Sequence, residues 1–220
     1  GYFFDANTGF LGVQAVRGIA KTTNGGVSFD TIQILSTGSG WTYGFHFINT
    51  STGYLSGNTG FKLMKTTNAG INWNFVTNVP NATYYSVYAP DTNNILGTSS
   101  SGNVYMTTNA GVNWTTSNVG TTNTLYGSKF INASTGYVCG SSGLFRYTTN
   151  GGVNWTGTNP PTTSSLYSIV VEGSDVYVSG YTSSTQDLFK TTDNGTTWTS
   201  ISYAGASTIT NFNAYRFDKN

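Results

Sequence analysis

The sequence predicts an all-β protein: a β-propeller of about five four-stranded antiparallel blades, either complete or part of a longer repeat array. An eight-residue segment recurs five times, with 41 to 44 residues between the starts of neighbouring copies. Periods of roughly 40 to 50 residues built from short strands are typical of propeller blades. Runs with alternating apolar residues lie between clusters of turn-forming residues, as strands do. No stretch keeps the apolar period of about 3.6 residues that an amphipathic helix requires, so almost no helix is expected.

Composition narrows the function classes. The chain has 220 residues, of which 37% are hydrophobic, 15% aromatic and 8% charged, with a formal net charge of +1. This apolar content argues against disorder. The nine Lys and Arg are scattered, whereas a surface that follows nucleic acid needs a concentrated basic patch. No apolar run approaches the roughly 18 to 20 residues that span a bilayer. We therefore expect neither a nucleic-acid partner nor membrane insertion.

The first half of each repeat is predicted to be a hairpin. Residues 3–10 match residues 47–54 and 130–137, with Asn, Ser, Thr and Gly between two apolar runs. Such residues form tight turns between strands. In the second repeat, strand A is expected at about 43–48, with Tyr43, Phe45 and Phe47 alternating, and strand B at about 53–57. The third and fifth repeats depart from this pattern upstream of the recurring segment.

The recurring segment, called the box below, has the pattern Thr-Thr-Asn/Asp-x-Gly-x-x-Trp and is predicted to join strand C (about 61–66) to strand D (about 72–77). The third residue can accept hydrogen bonds from turn N–H groups. The glycine permits a positive φ. The final aromatic residue is expected between blades, where a Trp buries roughly 200 Å². The box is therefore predicted to be a structural turn rather than a ligand pocket.

The five boxes span residues 22–29, 66–73, 107–114, 148–155 and 191–198. The residues predicted to carry the structural role are Asn24, Gly26, Phe29, Asn68, Gly70, Trp73, Asn109, Gly111, Trp114, Asn150, Gly152, Trp155, Asp193, Gly195 and Trp198.

The repeats predict a single domain over residues 1–220, with blades at about 1–36, 41–79, 84–120, 125–159 and 166–203. Residues 214–220 resemble residues 1–7, so 212–220 is expected to be an extra first strand. A closed ring needs each first strand once. The duplicate therefore predicts either excision from a longer array, or a strand that lies outside the ring or pairs with another molecule. The missing start Met favours a processed secreted protein or an excised fragment.

The residue types required for catalysis do not form a recognisable constellation. The acids available to a two-carboxylate glycosidase are Asp5, Asp30, Asp91, Glu172, Asp175, Asp187, Asp193 and Asp218, and most lie in predicted turns. His46 alternates with Phe45 and Phe47 in a strand, and Cys139 is expected to be buried in one. One His, one Cys and no acid cluster do not supply a transition-metal site. No catalytic residue, cofactor or metal site is predicted.

The boxes resemble the Asp-box, or BNR, repeat of sialidases, sortilin-type receptors and Ycf48-like photosystem II assembly factors. The order Thr-Gly-Tyr, Lys-Thr-Thr-Asn and Gly-x-Asn-Trp is most similar to the Ycf48-related family, and it covers all five repeats. The resemblance implies a propeller whose boxes are structural turns. Asn replaces Asp in four boxes, and only Asp193 is retained. A sialidase also needs an arginine cluster and a Tyr activated by Glu, whereas Arg17, Arg146 and Arg216 occupy different repeat positions.

The photosystem factors carry a basic patch for their partner, which the scattered Lys and Arg do not supply. We therefore expect a non-enzymatic, extracellular or cell-surface module, bacterial in origin, acting as a scaffold, adhesion or assembly unit. Its partners would be proteins, or further copies joined through blade edges and loops. One alternative is a carbohydrate-binding propeller, and another is a degenerate sialidase-like glycoside hydrolase. The loops at 78–83, 118–124 and 181–187 differ between repeats and are expected to carry specificity.

Overall fold

The computed structural model describes residues 1–13, 18–35, 40–182 and 186–202. In these ranges the regular secondary structure consists of β-strands and one isolated β-bridge, and there is no helix. The first sheet contains β1 (Tyr2–Phe3), β2 (Gly9–Gly12), β3 (Gly18–Thr22) and β4 (Asp30–Gln33). The second contains β5 (Thr42–Phe47), β6 (Gly53–Gly57), β7 (Leu63–Thr66) and β8 (Asn74–Phe75). The third contains β9 (Tyr84–Tyr88), β10 (Ile95–Ser99), β11 (Asn103–Thr107) and β12 (Thr115–Asn118). The fourth contains β13 (Leu125–Phe130), β14 (Gly136–Gly140) and β15 (Phe145–Thr148). The fifth contains β16 (Ser165–Glu172), β17 (Asp175–Tyr181), β18 (Gln186–Thr191) and β19 (Thr199–Ser200).

Each sheet is formed by strands that follow one another in the chain, and the strand pairs are antiparallel. This arrangement, repeated once per box, confirms the predicted all-β propeller fold. In the second repeat, strand B is observed as β6 with the predicted bounds. Strand C begins later than predicted because residues 58–62 form a turn: the Phe61 and Lys62 N–H groups both donate to the Asn58 carbonyl.

The fourth sheet departs from the prediction of four strands per blade. Its fourth strand is reduced to one bridge, between Tyr147 and Thr156. Gly157 follows with φ 123°, which ends the extended backbone after a single residue pair. The proline pair at residues 160–161 then offers no backbone N–H for a ladder. Local backbone chemistry therefore ends this strand, although the repeat continues in sequence.

The second strand of each complete hairpin supplies much of the core. β6, β10 and β14 are buried at every residue, as expected for a strand with packed layers on both faces. By their contacts the residues group into two compact units, one of Gly1–Ser99 with Tyr105–Thr116 and one of Ser100–Val104 with Ser117–Asn220.

Each unit has its own apolar clusters. The first unit holds one around Phe10, Phe47 and Trp73 and another around Tyr54 and Tyr84. The second unit holds a cluster around Phe145, Leu166 and Val178. The single domain over 1–220 and the blade limits stay predictions. The extra first strand predicted at 212–220 lies outside the described residues.

No helix in the described ranges has the length and apolar character needed to cross a membrane.

Candidate functional site

The first threonine of each box organises the turn. In the second box the Thr66 hydroxyl donates to Asn68 Oδ1 (3.1 Å) and accepts the Gly70 N–H (2.9 Å). Asn68 Oδ1 also accepts the Asn72 N–H (2.9 Å). The other four boxes repeat these three contacts. The threonine was not singled out by the sequence analysis, although it is Thr in all five copies.

Two consecutive residues of every box have left-handed backbone. Gly70 has φ 77°, as the pattern predicts, and Ala69 before it has φ 54°. The remaining boxes show the same pair of positive values. A Cβ on Gly70 would also lie 2.5 Å from a ring carbon of Phe10. Glycine is therefore needed here both for its conformation and for close approach to another side chain.

The box is tied to the A–B turn of its own sheet. The Ala69 N–H donates to the Ser51 carbonyl at 2.9 Å, and equivalent bonds occur in the first, third and fourth repeats. The A–B turn is itself capped, because Asn49 Oδ1 accepts the N–H groups of Ser51 and Thr52. The box threonine hydroxyl, the asparagine side-chain oxygen and the N–H groups of the turn are therefore hydrogen-bonded within the protein.

The final aromatic residues of the boxes have different surroundings. Trp73 is buried among Phe10, Phe45 and Phe47, and its indole N–H donates to the Gly70 carbonyl. The Trp114 and Trp198 indoles donate to the carbonyls of Thr77 and Thr158. The Trp155 indole N–H is buried and has no partner among the described residues. Phe29, which replaces Trp in the first box, is 38% exposed.

Three of the candidate acids act as turn caps. Asp5 Oδ1 accepts the N–H groups of Asn7 and Thr8, and Asp91 Oδ1 accepts those of Asn93 and Asn94. Hydrogen bonds to these carboxylates lower the pKa of both acids, for Asp91 chiefly the bond from the Asn94 side chain. In the fifth box the backbone N–H and hydroxyl of Thr197, with the Thr191 hydroxyl, lower the pKa of Asp193 to about 2. A general acid needs the opposite shift.

The other candidate catalytic or metal-binding residues either contact neighbouring side chains or lie apart from one another. Asp175 forms an ion pair with Lys190 at 2.6 Å, and Asp187 accepts the Thr162 hydroxyl. The His46 ring lies edge-on to Tyr88, with centroids 5.0 Å apart. Cys139 is fully buried, which raises the pKa of its thiol. Within the described ranges, no three His, Cys, Asp or Glu side chains come together as metal ligands would. Arg17, Arg216 and Asp218 lie outside those ranges.

A feature that the sequence analysis missed is a tyrosine on a β-bulge in each of four sheets. The pairing of β5 with β6 passes from Thr42 to Gly44 and skips Tyr43. The pairings of β9, β13 and β16 with their neighbours skip one residue in the same way, at Tyr85, Tyr126 and Tyr167. A bulge re-aims the side chain of the extra residue. Tyr43 therefore leaves the face that Phe45 and Phe47 share, contrary to the predicted alternation.

These tyrosines contact other aromatic rings. In the first unit, the first aromatic cluster consists of Trp41, Tyr43 and Tyr85: the Tyr43 ring lies edge-on to Trp41, with centroids 6.5 Å apart, and is tilted by 34° to the Tyr85 ring, with centroids 5.0 Å apart. In the second unit, the second aromatic cluster consists of Tyr126, Tyr167 and Tyr181. Tyr167 lies between the other two rings, at centroid distances of 4.8 and 4.9 Å and interplanar angles of 27° and 25°.

Several rings of the two clusters remain open to solvent. Tyr43 and Tyr167 are each 40% exposed, Tyr181 44% and Trp41 46%. Other large apolar side chains are equally exposed, and these four are distinguished by their contacts with further aromatic rings. Partial burial raises the pKa of Tyr43 and Tyr167, so both phenols are neutral hydrogen-bonding groups in neutral solution.

A sequence signal for the bulges exists in retrospect. Tyr43, Tyr85, Tyr126 and Tyr167 are spaced by 42, 41 and 41 residues, and each is followed by Gly or Ser. The loops that were expected to carry specificity use several groups to hold the fold. Asn78 Nδ2 donates to the Val112 carbonyl, and Asn123 Nδ2 donates to the Ser141 carbonyl. The third loop includes residues 183–185, which lie outside the described ranges.

Comparison with known proteins gives one family and several structures of similar fold. The family model described as photosynthesis system II assembly factor YCF48 matches residues 2–121 and 112–206. An ancestral GH74 enzyme superposes with a TM-score of 0.70 at 20% identity, over 90% of this chain and 30% of that one. YCF48 from Cyanidioschyzon merolae gives 0.62 at 16% identity, over 91% and 69%. A GH74 enzyme from Niastella koreensis gives 0.61 at 21% identity, over 88% and 30%.

The chain thus spans 30% of the length of the two GH74 enzymes. At these identities the likeness to solved structures shows the fold alone. No curated protein sequence matches the chain.

Proposed function

Because the chain belongs to the family of the photosynthesis system II assembly factor YCF48, we propose that it is a non-enzymatic module that binds protein partners through its exposed tyrosines. Membership supports a role in holding or assembling other proteins. In each unit, the bulged tyrosines supply contact residues for that role.

The observation that carries the proposal is that each unit has a partly exposed cluster of aromatic rings built around a bulged tyrosine. Energetically dominant residues of protein interfaces are enriched in Tyr and Trp, and the centre of an interface is depleted in charge. Tyrosine offers a large contact area with a polar tip and few rotatable bonds, so ordering it costs little. Tyr167 is already held between two rings. A partner that covers it would therefore bury aromatic surface without paying for much new side-chain order.

The carboxylates favour binding over catalysis. A glycosidase needs two carboxyl groups at the scissile bond, one of them with a raised pKa. Asp5, Asp91 and Asp193 cap turns in three different repeats, and their pKa values are lowered. The similarity to GH74 enzymes is a similarity of fold.

The location of the module is part of the proposal. We place it outside the cytoplasm or on the cell surface, as a scaffold, adhesion or assembly unit. A chain in which 8% of residues are charged, with a surface rich in Thr, Asn, Ser and Gly, supports that placement. Fractionation of the source cells, followed by detection with an antibody, tests it. Recovery in the cytoplasm alone would contradict it.

The binding role is tested by affinity capture. The immobilised chain and its Tyr43→Ala/Tyr167→Ala variant are exposed to an extract of the source organism, and enriched proteins are identified, purified and titrated against both. We expect a partner whose affinity falls at least about tenfold in the variant, as for interface hot spots. Phe75→Ala is the matched control, since Phe75 is an exposed aromatic residue on β8. Equal affinity for the tyrosine variant and the wild type would show that these tyrosines are not the contact residues.

A further inference from the structure

We infer that a second copy of this chain docks on the fifth sheet, with the first sheet of that copy packed against it as the next sheet of the series. This association goes beyond the proposed function and does not depend on it, because it uses none of the bulged tyrosines. The surfaces concerned are two sheet faces that are open to solvent, although the equivalent faces of other sheets are buried.

Sheets that follow one another within a unit pack face to face. The apolar clusters join the first sheet to the second, the second to the third, and the fourth to the fifth. We call the face that contacts the following sheet the trailing face, and the face that contacts the preceding sheet the leading face. In the second sheet, Tyr54 lies on the trailing face and clusters with Tyr84 of the third sheet. Leu55 lies on the leading face and clusters with Phe10 of the first sheet.

The trailing face of the fifth sheet carries an aromatic residue that is buried in other sheets. Tyr177 aligns with Tyr54 and Tyr137, since each pairs with the residue directly before the first box threonine. Tyr54 is 0% exposed and Tyr137 4%, whereas Tyr177 is half-exposed. The hydroxyl groups of Tyr54 and Tyr137 donate to turns of the following repeat. The Tyr177 hydroxyl donates instead to Asp175 in its own sheet.

Leu188 shows the same difference. It aligns with Leu63 and Phe145, since each pairs with the residue two positions beyond the aligned tyrosine in the neighbouring strand. Leu63 and Phe145 are both 0% exposed, whereas Leu188 is half-exposed. Val170, which pairs with Tyr177, is also half-exposed. The fifth sheet therefore presents an apolar patch across β16, β17 and β18 at the place where a following sheet packs elsewhere.

The leading face of the first sheet is open in a corresponding way. Phe3 and Phe47 have the same place in their sheets, because each pairs with the first glycine of the next strand. Phe3 is 46% exposed and Phe47 7%. Phe29 ends the first box as Trp73 ends the second, and these side chains are 38% and 7% exposed. The first sheet thus presents aromatic rings at the place where a preceding sheet packs elsewhere.

The interface between the fourth and fifth sheets shows how the two open faces fit. The Trp198 ring of the fifth box meets the Phe145 ring edge-on, with centroids 4.9 Å apart. Leu188 is the counterpart of Phe145 in the fifth sheet, and Phe29 is the counterpart of Trp198 in the first box. We therefore expect Phe29 of the second copy to pack against Leu188. Removal of these apolar surfaces from water favours the association.

The ion pair on the trailing face is compatible with a covering sheet. Lys190 pairs with Asp175 at 2.6 Å, and its ammonium group lies 5.6 Å from the centroid of the Tyr177 ring. Lys65 has the same place in the second sheet, 5.8 Å from the centroid of the Tyr54 ring. Tyr54 is nevertheless fully buried. A lysine at this position therefore does not prevent the next sheet from packing.

The remaining charges do not oppose the contact. Glu172 is exposed at the hairpin between β16 and β17, and Asp187 pairs with Gly180 on the opposite, leading face of the fifth sheet. The described side chains on the leading face of the first sheet are uncharged: Phe3, Leu11, Ala20, Thr22, Thr31 and Gln33. Docking of these two faces therefore does not bury an unpaired charge, which would be costly.

The two faces differ, so the contact between copies is heterologous and joins them head to tail. Each copy that uses one face keeps the other available. Association of the wild type is therefore expected to continue beyond a dimer as the concentration rises.

The association is tested by sedimentation velocity of the full chain between about 1 μM and about 1 mM. We expect the average mass of the wild type to rise above the 23.4 kDa of one copy. Phe29→Asp and Leu188→Asp each place a charge in the contact and should weaken association at least about tenfold. Phe75→Asp is the matched control, since Phe75 is an exposed aromatic residue of the second sheet, and it should associate like the wild type.

A mixture of the two variants tests the head-to-tail arrangement. Leu188→Asp keeps an intact leading face, and Phe29→Asp keeps an intact trailing face. Together they should form a one-to-one complex of about twice the 23.4 kDa mass that grows no further. Failure to form this complex, with variants that are each monomeric, would overturn the inference.

Near-ultraviolet circular dichroism of each variant separates a lost contact from a lost fold, and Leu188→Thr keeps the test valid if Leu188→Asp does not fold. A wild type that stays at 23.4 kDa throughout the concentration range would overturn the inference. Undiminished association of both the Phe29 and the Leu188 variants would do the same. A monomeric wild type that captures another protein through Leu188 would assign the trailing face to that protein instead. A monomer that binds a partner through Tyr43 and Tyr167 would leave the proposed function standing.

Discussion

The box threonine shows how a single hydroxyl can hold a turn together. In the fourth box the Thr148 hydroxyl accepts the buried Gly152 N–H at 2.9 Å and donates to Asn150 Oδ1 at 2.9 Å. The asparagine in turn accepts the Asn154 N–H. Because an amide oxygen serves this arrangement as well as a carboxylate, Asn can replace Asp in four of the five boxes.

Replacement of Thr148 by Val tests this role. The change keeps the shape of the side chain and leaves the Gly152 N–H without its acceptor, so we expect a loss of about 1 to 3 kcal/mol in the free energy of unfolding. Urea denaturation followed by tryptophan fluorescence measures it. Thr149→Val is the matched control, since Thr149 is exposed. Similar losses for the two variants would show that the hydroxyl of Thr148 has no special role.

Asp193 should make the free energy of unfolding depend on pH, whereas the Asn at this position in the other four boxes should not. The pKa of Asp193 in the folded chain is about 2, below its ordinary value of 3.8, mainly because of hydrogen bonds from Thr197. A lowered folded pKa contributes stability above the unfolded pKa, and that contribution is lost as the pH falls toward 2. We expect an NMR titration of the carboxyl group with a midpoint near 2.

The residue at this position in the other four boxes, Asn, provides the comparison. Asp193→Asn should flatten the change in unfolding free energy between about pH 4 and pH 2. Asp30→Asn, at an exposed acid outside the boxes, is the control. An unchanged pH profile in Asp193→Asn would contradict the assignment.

At the scale of the strands, the carbonyl groups of two bulged tyrosines lie close to a glycine in the preceding sheet. The Tyr167 carbonyl lies against Gly127, and the Tyr85 carbonyl is 3.7 Å from the position of a Cβ on Gly44. Gly127 has no positive φ, so it is required for space rather than for backbone conformation. Gly44 and Gly127, which directly follow Tyr43 and Tyr126, therefore leave room for the bulge of the next sheet.

Gly127→Ala is predicted to destabilise the second unit by about 1 to 3 kcal/mol, as for overpacking elsewhere. Its Cβ would lie 2.8 Å from the Tyr167 carbonyl and 2.9 Å from Cys139 Sγ. Gly173→Ala is the control, since its added Cβ meets no atom within 4 Å and carries only the strain of φ 60°. Urea denaturation of both variants distinguishes overpacking from strain.

The short fourth strand of the fourth sheet leaves an edge that side chains cover. Asn159 Oδ1 accepts the Phe145 N–H at 3.2 Å, and the Arg146 guanidinium donates to both the Phe145 carbonyl and Asn159. Uncovered strand edges pair with other chains. We predict that Asn159→Ala exposes this edge and causes the mass in solution to exceed that of the wild type at equal concentration, as sedimentation can measure. Asn113→Ala, at an exposed residue of the third box, should stay at the mass of the wild type. Equal behaviour of the two would show that Asn159 does not protect the edge.

For the whole molecule, the absence of turnover is the prediction that separates it from the GH74 enzymes of similar fold. We expect no hydrolysis of aryl glycosides above the rate in buffer, because Asp5, Asp91 and Asp193 are used as turn caps. A sensitive fluorogenic panel measures it. Activity that disappears in Glu172→Gln but persists in Asp30→Asn would instead support the degenerate glycoside hydrolase.

Much of the fold follows from short-range chemistry and could be predicted. The hydrogen bonds of Asn68 and Gly70 join residues that are at most four apart, so the sequence of the octapeptide is enough to predict the turn. The repeat spacing then orders the strands into sheets. The shortened strand at Thr156 was missed because the box before it, residues 148–155, is as regular as the others.

The candidate site could not be predicted with the same ease. Tyr43 continues a regular alternation with Phe45 and Phe47, so the pattern alone places it on the wrong face. A bulge becomes visible only in the pairing of two strands. Tyr167 stacks on Tyr126, which lies 41 residues earlier in the chain. The sequence near either tyrosine does not indicate this contact.

The sequence by itself determined the all-β propeller fold, the box turns and the family, because these depend on a repeat and on contacts between near neighbours. Only the tertiary structure decided which tyrosines leave the core, which strand edge is covered and where each box tryptophan finds its partner. Trp114, for example, donates to a carbonyl 37 residues away. Such contacts depend on how sheets pack, and packing distances are not encoded in the spacing of any one repeat.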